Sequence, residues 1–262
     1  LLRLETLTRL IETHQASSAA ATLIGVELED PTGYGRLLMD GGGRPEIDGG
    51  RVRAIVEQKA AAPEQLAIRH VNSGIYCFQA GPFWSLVGEL KPNPASGEIY
   101  LTDIVELMNA RGLAVQACFA PDPTEVLGVN QRIELAAADR LLRERKVRQL
   151  MLDGVTIIKP ETVTVDAGVE IGMDTVIEPF AQILGKTVIG ENCRVGACSI
   201  VRDSILAADV HVEAFSIVGT SRLEPGVRIG PFARLRVDNH VEAGAHIGNF
   251  VELKKTRLGA ES

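Results

Sequence analysis

The chain has 262 residues, of which 45% are hydrophobic, 23% charged and only 4% aromatic, and its formal net charge at pH 7 is -7. This length allows two domains, and the acidic balance argues against a nucleic-acid partner, because phosphate backbones are bound by clustered Lys and Arg. No apolar run approaches the roughly 20 residues that span a bilayer, and no signal sequence is visible. These features predict a cytoplasmic protein without a membrane partner.

Residues 1–122 alternate between helical and extended patterns. Helices are predicted at residues 5–13, 83–90 and 102–111, and strands at residues 20–28, 36–39, 52–57, 71–78 and 115–119. The second and third strands should form a hairpin across the Gly-, Pro- and Asp-rich residues 40–50. Alternation of this kind favours an α/β layered domain.

Residues 131–152 are highly charged and rich in Ala, Leu and Arg, and Asp153 and Gly154 follow them. This composition predicts a long linking helix with one apolar face. The chain is therefore expected to comprise a partial α/β domain at residues 1–130, a linker helix at residues 131–154 and a repeat domain at residues 155–262.

The third segment carries a six-residue repeat. From Val165 to Leu253 an aliphatic residue recurs every six residues, apart from two five-residue steps that lead to Leu206 and Leu223. The residue two places earlier is usually small, as at Thr175, Ala181, Thr187, Cys193, Ser199, Ser204, Ser216, Ser221, Ala233 and Ala245. Ordinary strands do not hold one phase for so long, and six is not a multiple of the helical period. We predict a parallel β-helix over residues 163–258, with small residues and glycines at its corners.

The four cysteines are Cys77, Cys118, Cys193 and Cys198. The last two are spaced C-x4-C without a second pair or a nearby histidine pair, which is a poor zinc pattern. All four are predicted to be small buried side chains in a reduced compartment.

Seven segments, in order along nearly the whole chain, resemble the bacterial bifunctional family of N-acetylglucosamine-1-phosphate uridyltransferases and glucosamine-1-phosphate acetyltransferases. They are DPTGYGR at 30–36, IVEQK at 55–59, VNSGI at 71–75, GEIYLTD at 97–103, EVLGVNQR at 125–132, IGPFARLR at 229–236 and GAHIGNFVELKK at 244–255. The resemblance implies a partial Rossmann-like nucleotidyltransferase domain of the α/β class, joined by the long helix to a left-handed parallel β-helix. Such β-helices are expected to pack as homotrimers.

For uridyl transfer from UTP, the resemblance implies four sugar-nucleotide-binding residues. Gly35 corresponds to a backbone that approaches the ligand, and Glu57 and Asn72 to residues that bind the hydroxyl and amide groups of the sugar. Asn130 corresponds to a ligand of Mg²⁺. Without the resemblance, ordinary structural interpretations are favoured for these residues: a turn glycine, a surface glutamate and two loop-capping asparagines.

For acetyl transfer from acetyl-CoA, the resemblance implies that Arg236 and Lys254 hold the sugar phosphate. Lys254 follows the inward Leu253 and should therefore point outward. We interpret Lys255 and Arg257 as solvated surface cations.

The family's glycine-rich phosphate loop and magnesium-binding aspartate have no counterpart in this chain, and its catalytic histidine is expected beyond Ser262. We therefore expect no catalytic residue here and no activity from these residues alone. Two alternatives remain open. One is a monofunctional sugar-1-phosphate nucleotidyltransferase with an oligomerising β-helix, and the other is a non-catalytic scaffold subunit.

Overall fold

The computed structural model describes residues 1–40, 48–93 and 97–262, and for residues 48 and 49 it describes only the backbone. The chain forms two compact units, Leu1–Gly128 and Val129–Ser262. Residues 41–47, which make up most of the predicted hairpin loop, lie outside the described residues. None of the helices within the described ranges is long and apolar enough to cross a membrane.

Among its described residues, the first unit contains five strands and four α-helices, with short 3-10 turns between them. The strands are β1 (Ala21–Glu27), β2 (Arg36–Met39), β3 (Asp48–Val56), β4 (His70–Phe78) and β5 (Val115–Phe119). The helices are α1 (Leu4–Ala16), α2 (Pro63–Leu66), α3 (Ala80–Leu86) and α4 (Ile104–Ala110). The 3-10 turns are Gln58–Ala60, Val87–Glu89, Leu101–Asp103 and Pro123–Val126.

The strands pair in the closed order β1-β4-β2-β3-β5. The predicted hairpin of β2 and β3 is confirmed by their antiparallel pairing, and β1 pairs antiparallel with β4 and parallel with β5. Both faces of β1 are buried. Leu23 packs in a cluster with Leu86 and Met108 of α3 and α4, whereas Ile24 packs in a cluster with Leu10 of α1. The predicted α/β fold class of this unit is therefore confirmed.

Two predicted helices are shorter in the structure, and α2 was not predicted. The helix expected at residues 83–90 ends at Leu86 and continues as a 3-10 turn that contains Gly88, a residue type that disfavours the α-helix. The helix expected at residues 102–111 begins only at Ile104, after another 3-10 turn. Helix α2 has only four residues and begins at Pro63, which suits the first helical position.

The second unit begins with helix α5 (Arg132–Leu152), which confirms the predicted long helix. Its Val147 and Leu150 belong to the same apolar cluster as Val155 and Ile157 of the β-helix. The Arg143 guanidinium bonds to Asp139 at 2.9 Å and to Asp166 at 3.2 Å. The helix therefore packs as a part of this unit, and its description as a separate linker stays a prediction.

The rest of the second unit is a parallel β-helix with three strands in each coil. Its three faces are parallel sheets of six strands, and we name them by order along the first coil. The first face contains Thr156–Ile157, Val176–Ile177, Arg194–Val195, His211–Val212, Arg228–Ile229 and His246–Ile247. The second contains Thr164–Val165, Gln182–Leu184, Ile200–Arg202, Ile217–Gly219, Arg234–Leu235 and Glu252–Leu253. The third contains Glu170–Ile171, Val188–Ile189, Ile205–Leu206, Ser221–Leu223, Asn239–Val241 and Arg257–Leu258.

The aliphatic repeat forms the core of the β-helix, as predicted. All of its residues from Val165 to Leu253 are buried apart from Ile171 and Leu253, which are partly buried against the same cluster. The two five-residue steps are also confirmed, because Leu206 pairs with Ile189 and Leu223 pairs with Leu206. The coils follow the left-handed hexapeptide architecture expected from the resemblance.

The prediction that glycines make the corners is only partly right. Fourteen non-glycine residues of this unit have φ between 44° and 61°, most of them at corners: Lys159, Asp174, Phe180, Asn192, Cys198, Asp203, Asp209, Phe215, Thr220, Phe232, Asp238, Phe250, Lys255 and Glu261. The repeat glycines Gly172, Gly190 and Gly196 do not have a positive φ. A Cβ at each would lie 2.5–2.8 Å from backbone atoms of the next coil. Close approach between coils, and not backbone freedom, therefore requires these glycines.

Hydroxyl and amide side chains link successive coils at one corner. Ser204 Oγ donates to the Arg202 carbonyl at 2.7 Å and accepts from the Ser221 N–H at 3.1 Å. Ser221 Oγ then accepts from Asn239 Nδ2 at 3.0 Å, and Asn239 Oδ1 accepts from the Thr256 N–H at 3.2 Å. Thr187 begins this ladder, with its hydroxyl 3.5 Å from the Ser204 N–H. The small residues of the repeat are buried partly because they make these bonds.

Another corner carries a column of exposed side chains: Phe180, Cys198, Phe215, Phe232 and Phe250. The rings of Phe215, Phe232 and Phe250 stack, with centroids 5.1 and 5.4 Å apart. The prediction that all four cysteines are buried is wrong for Cys198, because its corner position turns the thiol outward. Cys77 is partly buried, and Cys118 and Cys193 are buried as predicted.

We expect Gly190→Ala to lower the free energy of unfolding of the second unit by about 1–3 kcal/mol, as overpacking usually does. The new Cβ would lie 2.8 Å from backbone atoms of both Ala207 and Ala208. Chemical denaturation followed by circular dichroism measures the change. Gly168→Ala, in the same β-helix, is the matched control, since the nearest atom to its Cβ position is the Gly185 carbonyl oxygen at 3.4 Å. Equal stability of the two variants would contradict the close-approach explanation.

Candidate functional site

Three of the predicted site residues lie together in the first unit. Gly35 immediately precedes β2, Glu57 immediately follows β3, and Asn72 lies on β4. Arg36 of β2 pairs with both Val56 of β3 and Val71 of β4, so the residues beside these pairs meet at one place. The backbone N–H of Asn72 donates to the carbonyl of Gly35 at 2.8 Å.

The absence of a side chain at Gly35 is explained by its neighbours. A Cβ there would lie 3.0 Å from Cγ2 of Ile55 and 3.2 Å from Oε1 of Glu57. The same Oε1 accepts a hydrogen bond from the hydroxyl of the buried Thr102 at 3.1 Å. Glycine at this position therefore leaves room for the Glu57 carboxylate, which Thr102 holds there by a hydrogen bond.

The side-chain amide of Asn72 is bonded at both ends. Its Oδ1 accepts from the backbone N–H of Gly74 at 3.1 Å, and its Nδ2 donates to the Tyr76 hydroxyl at 2.8 Å. An amide nitrogen carries two hydrogens, and an amide oxygen has two lone pairs. One donor and one acceptor position of Asn72 therefore remain for a ligand.

Burial raises the pKa of Tyr76 to about 12, and the nearby negative charge of Glu57 adds to this effect. The hydrogen bond from Asn72 acts in the opposite direction and is outweighed by burial. Tyr76 is therefore neutral around pH 7, with one hydroxyl hydrogen to donate and lone pairs that accept from Asn72.

The loop before Gly35 is held in place by the buried side chain of Arg36. The Arg36 side chain donates to the carbonyl of Tyr34 and to Oε1 of Gln58, the latter at 3.4 Å. The same Gln58 oxygen accepts from the backbone N–H of Gly33. Gln58 thus connects this loop to the turn that follows Glu57, which fixes Gly35 opposite Glu57.

Asn130, the fourth predicted residue, lies in the second unit, just before α5. Its side chain is exposed, and its backbone N–H donates to the Glu134 carboxylate. Within the described ranges, no group of three or more His, Cys, Asp or Glu residues could hold a metal ion. One neutral amide oxygen does not by itself complete the octahedral oxygen shell of Mg²⁺.

Arg236 and Lys254 occupy equivalent positions in adjacent coils of the β-helix. They follow the paired inward residues Leu235 and Leu253, and the Arg236 N–H donates to the Leu253 carbonyl at 2.9 Å. Both side chains are exposed, which confirms that Lys254 points outward. The backbones of the two residues are therefore about 4.8 Å apart, which is one inter-strand spacing.

The Arg236 guanidinium lies 3.2 Å from the carboxylate of Glu252, which is also 3.9 Å from Arg234. Arg236 and Glu252 are about half exposed, at 43% and 51%. Exposed ion pairs of this kind contribute roughly 0–1 kcal/mol. A phosphate that accepts two charge-assisted hydrogen bonds can therefore displace Glu252 from Arg236.

Among the described residues, three whose side chains bond to side chains of predicted site residues were missed in the sequence: Tyr76, Thr102 and Glu252. Tyr76 could have been found, because it follows Asn72 by four residues in a predicted strand. Side chains an even number of residues apart on a strand point to the same face. Glu252 lies directly before the inward Leu253 in a segment already singled out. The contact of Thr102 with Glu57 spans 45 positions, and no local pattern indicates it.

Comparison with known proteins gives independent matches for both units. Residues 2–123 match the family model described as nucleotidyl transferase, and residues 168–203 match that described as bacterial transferase hexapeptide (six repeats). The bifunctional protein GlmU of Solibacter usitatus is 57% identical over 99% of this chain. That of Trichlorobacter lovleyi is 43% identical over the whole chain. This chain is a relative of the bifunctional GlmU proteins.

The resemblance inferred from the seven segments is confirmed by these matches. The chain spans about half the length of the GlmU relatives, 54% for the Solibacter protein and 55% for the Trichlorobacter protein. The acetyltransferase domain of PglB from Neisseria gonorrhoeae FA1090 aligns with 57% of this chain and 83% of its own, at 21% identity and a TM-score of 0.37. That likeness is too low to support an argument.

We expect one tyrosine of the folded chain to ionise at about pH 12, and Tyr76→Phe to remove that step from the tyrosinate absorbance titration. The folded-state pKa is raised above the ordinary value, so Tyr76 contributes stability that is complete below pH 10 and is lost as pH rises towards 12. Tyr100→Phe, which removes an exposed hydroxyl, is the control. An unchanged titration in Tyr76→Phe would contradict the assignment.

Proposed function

We propose that this chain is part of a bifunctional enzyme of UDP-N-acetylglucosamine biosynthesis. In the proposed sequence an acetyl group passes from acetyl-CoA to glucosamine-1-phosphate, and a uridyl group then passes from UTP to N-acetylglucosamine-1-phosphate. The observation that carries the proposal is the joint placement of Gly35, Glu57 and Asn72, in a chain whose relatives are GlmU proteins.

The first unit supplies the sugar side of the uridyltransferase site. The free oxygen of the Glu57 carboxylate accepts from a sugar hydroxyl, and Asn72 offers one donor and one acceptor to the acetamido group. Both residues are held before the ligand arrives, by Thr102 and by Tyr76 with Gly74. Preorganised polar groups of this kind bind a sugar without a further ordering cost. Mg²⁺ would neutralise charge on the reacting phosphates, and Asn130 would give it one oxygen ligand.

The second unit supplies the sugar-phosphate side of the acetyltransferase site. Arg236 binds the phosphate through two parallel N–H bonds, and Lys254 adds a point charge from the next coil. We assign no proton-accepting residue for acetyl transfer to this chain. Its contribution is to fix the anionic end of the amino sugar.

We also propose that the β-helix assembles as a homotrimer in the cytoplasm. The support is the hexapeptide match at residues 168–203 and the three six-stranded parallel faces that the stacked coils form. A symmetric oligomer of this kind repeats the same surface on each subunit.

We expect the purified 262-residue chain to form no UDP-N-acetylglucosamine from UTP and N-acetylglucosamine-1-phosphate with Mg²⁺. The reason is that Asn130 offers this ion a single neutral oxygen, and the described residues contain no cluster that could complete its shell. A coupled pyrophosphate-release assay measures the product, with the intact GlmU of Solibacter usitatus as the positive control. Turnover above the enzyme-free background would contradict this expectation.

We expect Arg236→Ala and Lys254→Ala each to weaken binding of glucosamine-1-phosphate by about tenfold or more, because each removes a charge-assisted hydrogen bond. Isothermal titration of the assembled chain measures the affinity. Lys255→Ala is the matched control, since it removes the same charge from the neighbouring exposed residue. An equal loss in all three variants would indicate only general electrostatic attraction, and would count against a phosphate site at Arg236.

A further inference from the structure

We propose that Tyr76 is a positioning residue, which turns the side-chain amide of Asn72 so that its free N–H faces the acetamido oxygen of an N-acetylated sugar phosphate. This inference rests on the proposed function, because it concerns the same sugar site. It assigns the preference for an N-acetylated over a plain sugar to a residue that the sequence did not indicate.

The orientation of the Asn72 amide is settled by its two partners. The Gly74 backbone N–H is only a donor, so the amide end that it contacts at 3.1 Å is the oxygen. The nitrogen must then be the end that lies 2.8 Å from the Tyr76 hydroxyl. Without the tyrosine oxygen, the nitrogen would have no fixed acceptor, and the amide torsion is broad for asparagine.

Tyr76 is itself held firmly enough to act as such a reference point. Its ring stacks on Phe78, with the centroids 5.3 Å apart and the planes 19° apart. Phe78 in turn contacts Phe83 of α3, with a centroid separation of 4.7 Å. The hydroxyl oxygen is therefore fixed by aromatic packing at the point where it contacts the Asn72 amide.

Tyr76 also connects the two proposed sugar-binding side chains. Its hydroxyl accepts a hydrogen bond from Asn72 and lies close enough to Glu57 for the negative charge of that carboxylate to raise the pKa of Tyr76. Glu57 is bonded on one oxygen by Thr102. A sugar that bridges Glu57 and Asn72 therefore meets a donor and an acceptor whose directions are both set in advance.

The test measures binding of N-acetylglucosamine-1-phosphate and of glucose-1-phosphate to the 262-residue chain by isothermal titration. The unsubstituted chain should bind the N-acetylated ligand more tightly than glucose-1-phosphate. In Tyr76→Phe the affinity for the N-acetylated ligand should fall about three- to tenfold, the range of one neutral hydrogen bond. The affinity for glucose-1-phosphate should stay unchanged, whereas a merely structural loss would weaken both ligands equally. Asn72→Ala should remove the preference altogether.

The outcomes separate this inference from the proposed function. If the unsubstituted chain binds neither sugar phosphate, both are overturned. If it binds them and Asn72→Ala abolishes the preference while Tyr76→Phe keeps it, the positioning role alone is overturned. Should Tyr76→Phe fail to fold, ring-fluorinated tyrosine at position 76 keeps the ring and hydroxyl but weakens the oxygen as an acceptor. An unchanged preference in that protein would also overturn the inference.

Discussion

The spacing between coils is the constraint on which the second unit depends. Parallel strands bond at about 4.8 Å, so each coil must return to the same three faces for its aliphatic side chains to stack. From Val165 onward this return takes 17 or 18 residues. The pairing of Ile189 with Leu206 and of Leu206 with Leu223 shows that the shorter coils keep this register. The same spacing leaves no room for a Cβ at Gly190 and brings Ser204 within bonding distance of the Ser221 N–H.

The proposed phosphate site follows from the same geometry. Because residues one coil apart lie directly above one another, Arg236 and Lys254 become neighbours although 18 positions separate them. The first unit reaches a comparable result by a different route. There the pairing of β2 with β3 and β4 brings Gly35, Glu57 and Asn72 together, and side chains from further along the chain fix their directions.

The predictable parts of this structure are those set by local periods. The inward column from Val165 to Leu253 and the outward Lys254 follow from a six-residue repeat, which is visible directly in that stretch of the sequence. The left-handed backbone at Phe232 and Cys198 does not, since bulky residues adopt it only where the neighbouring coil supports it. The meeting of Glu57 with Asn72 was expected only from family resemblance. The contact of Thr102 with Glu57 depends on tertiary packing, which a single sequence does not encode locally.

The hydroxyl ladder from Thr187 to Asn239 has a consequence for how the β-helix comes apart. Each rung joins only adjacent coils, and so does each layer of the aliphatic column, so the free energy is a sum of nearest-neighbour terms. Cooperative unfolding in such a stack extends over a limited number of coils, so a local defect does not destabilise the whole unit. A displaced turn in the middle would separate the solenoid into two shorter stacks that melt independently, each keeping its own column and rungs.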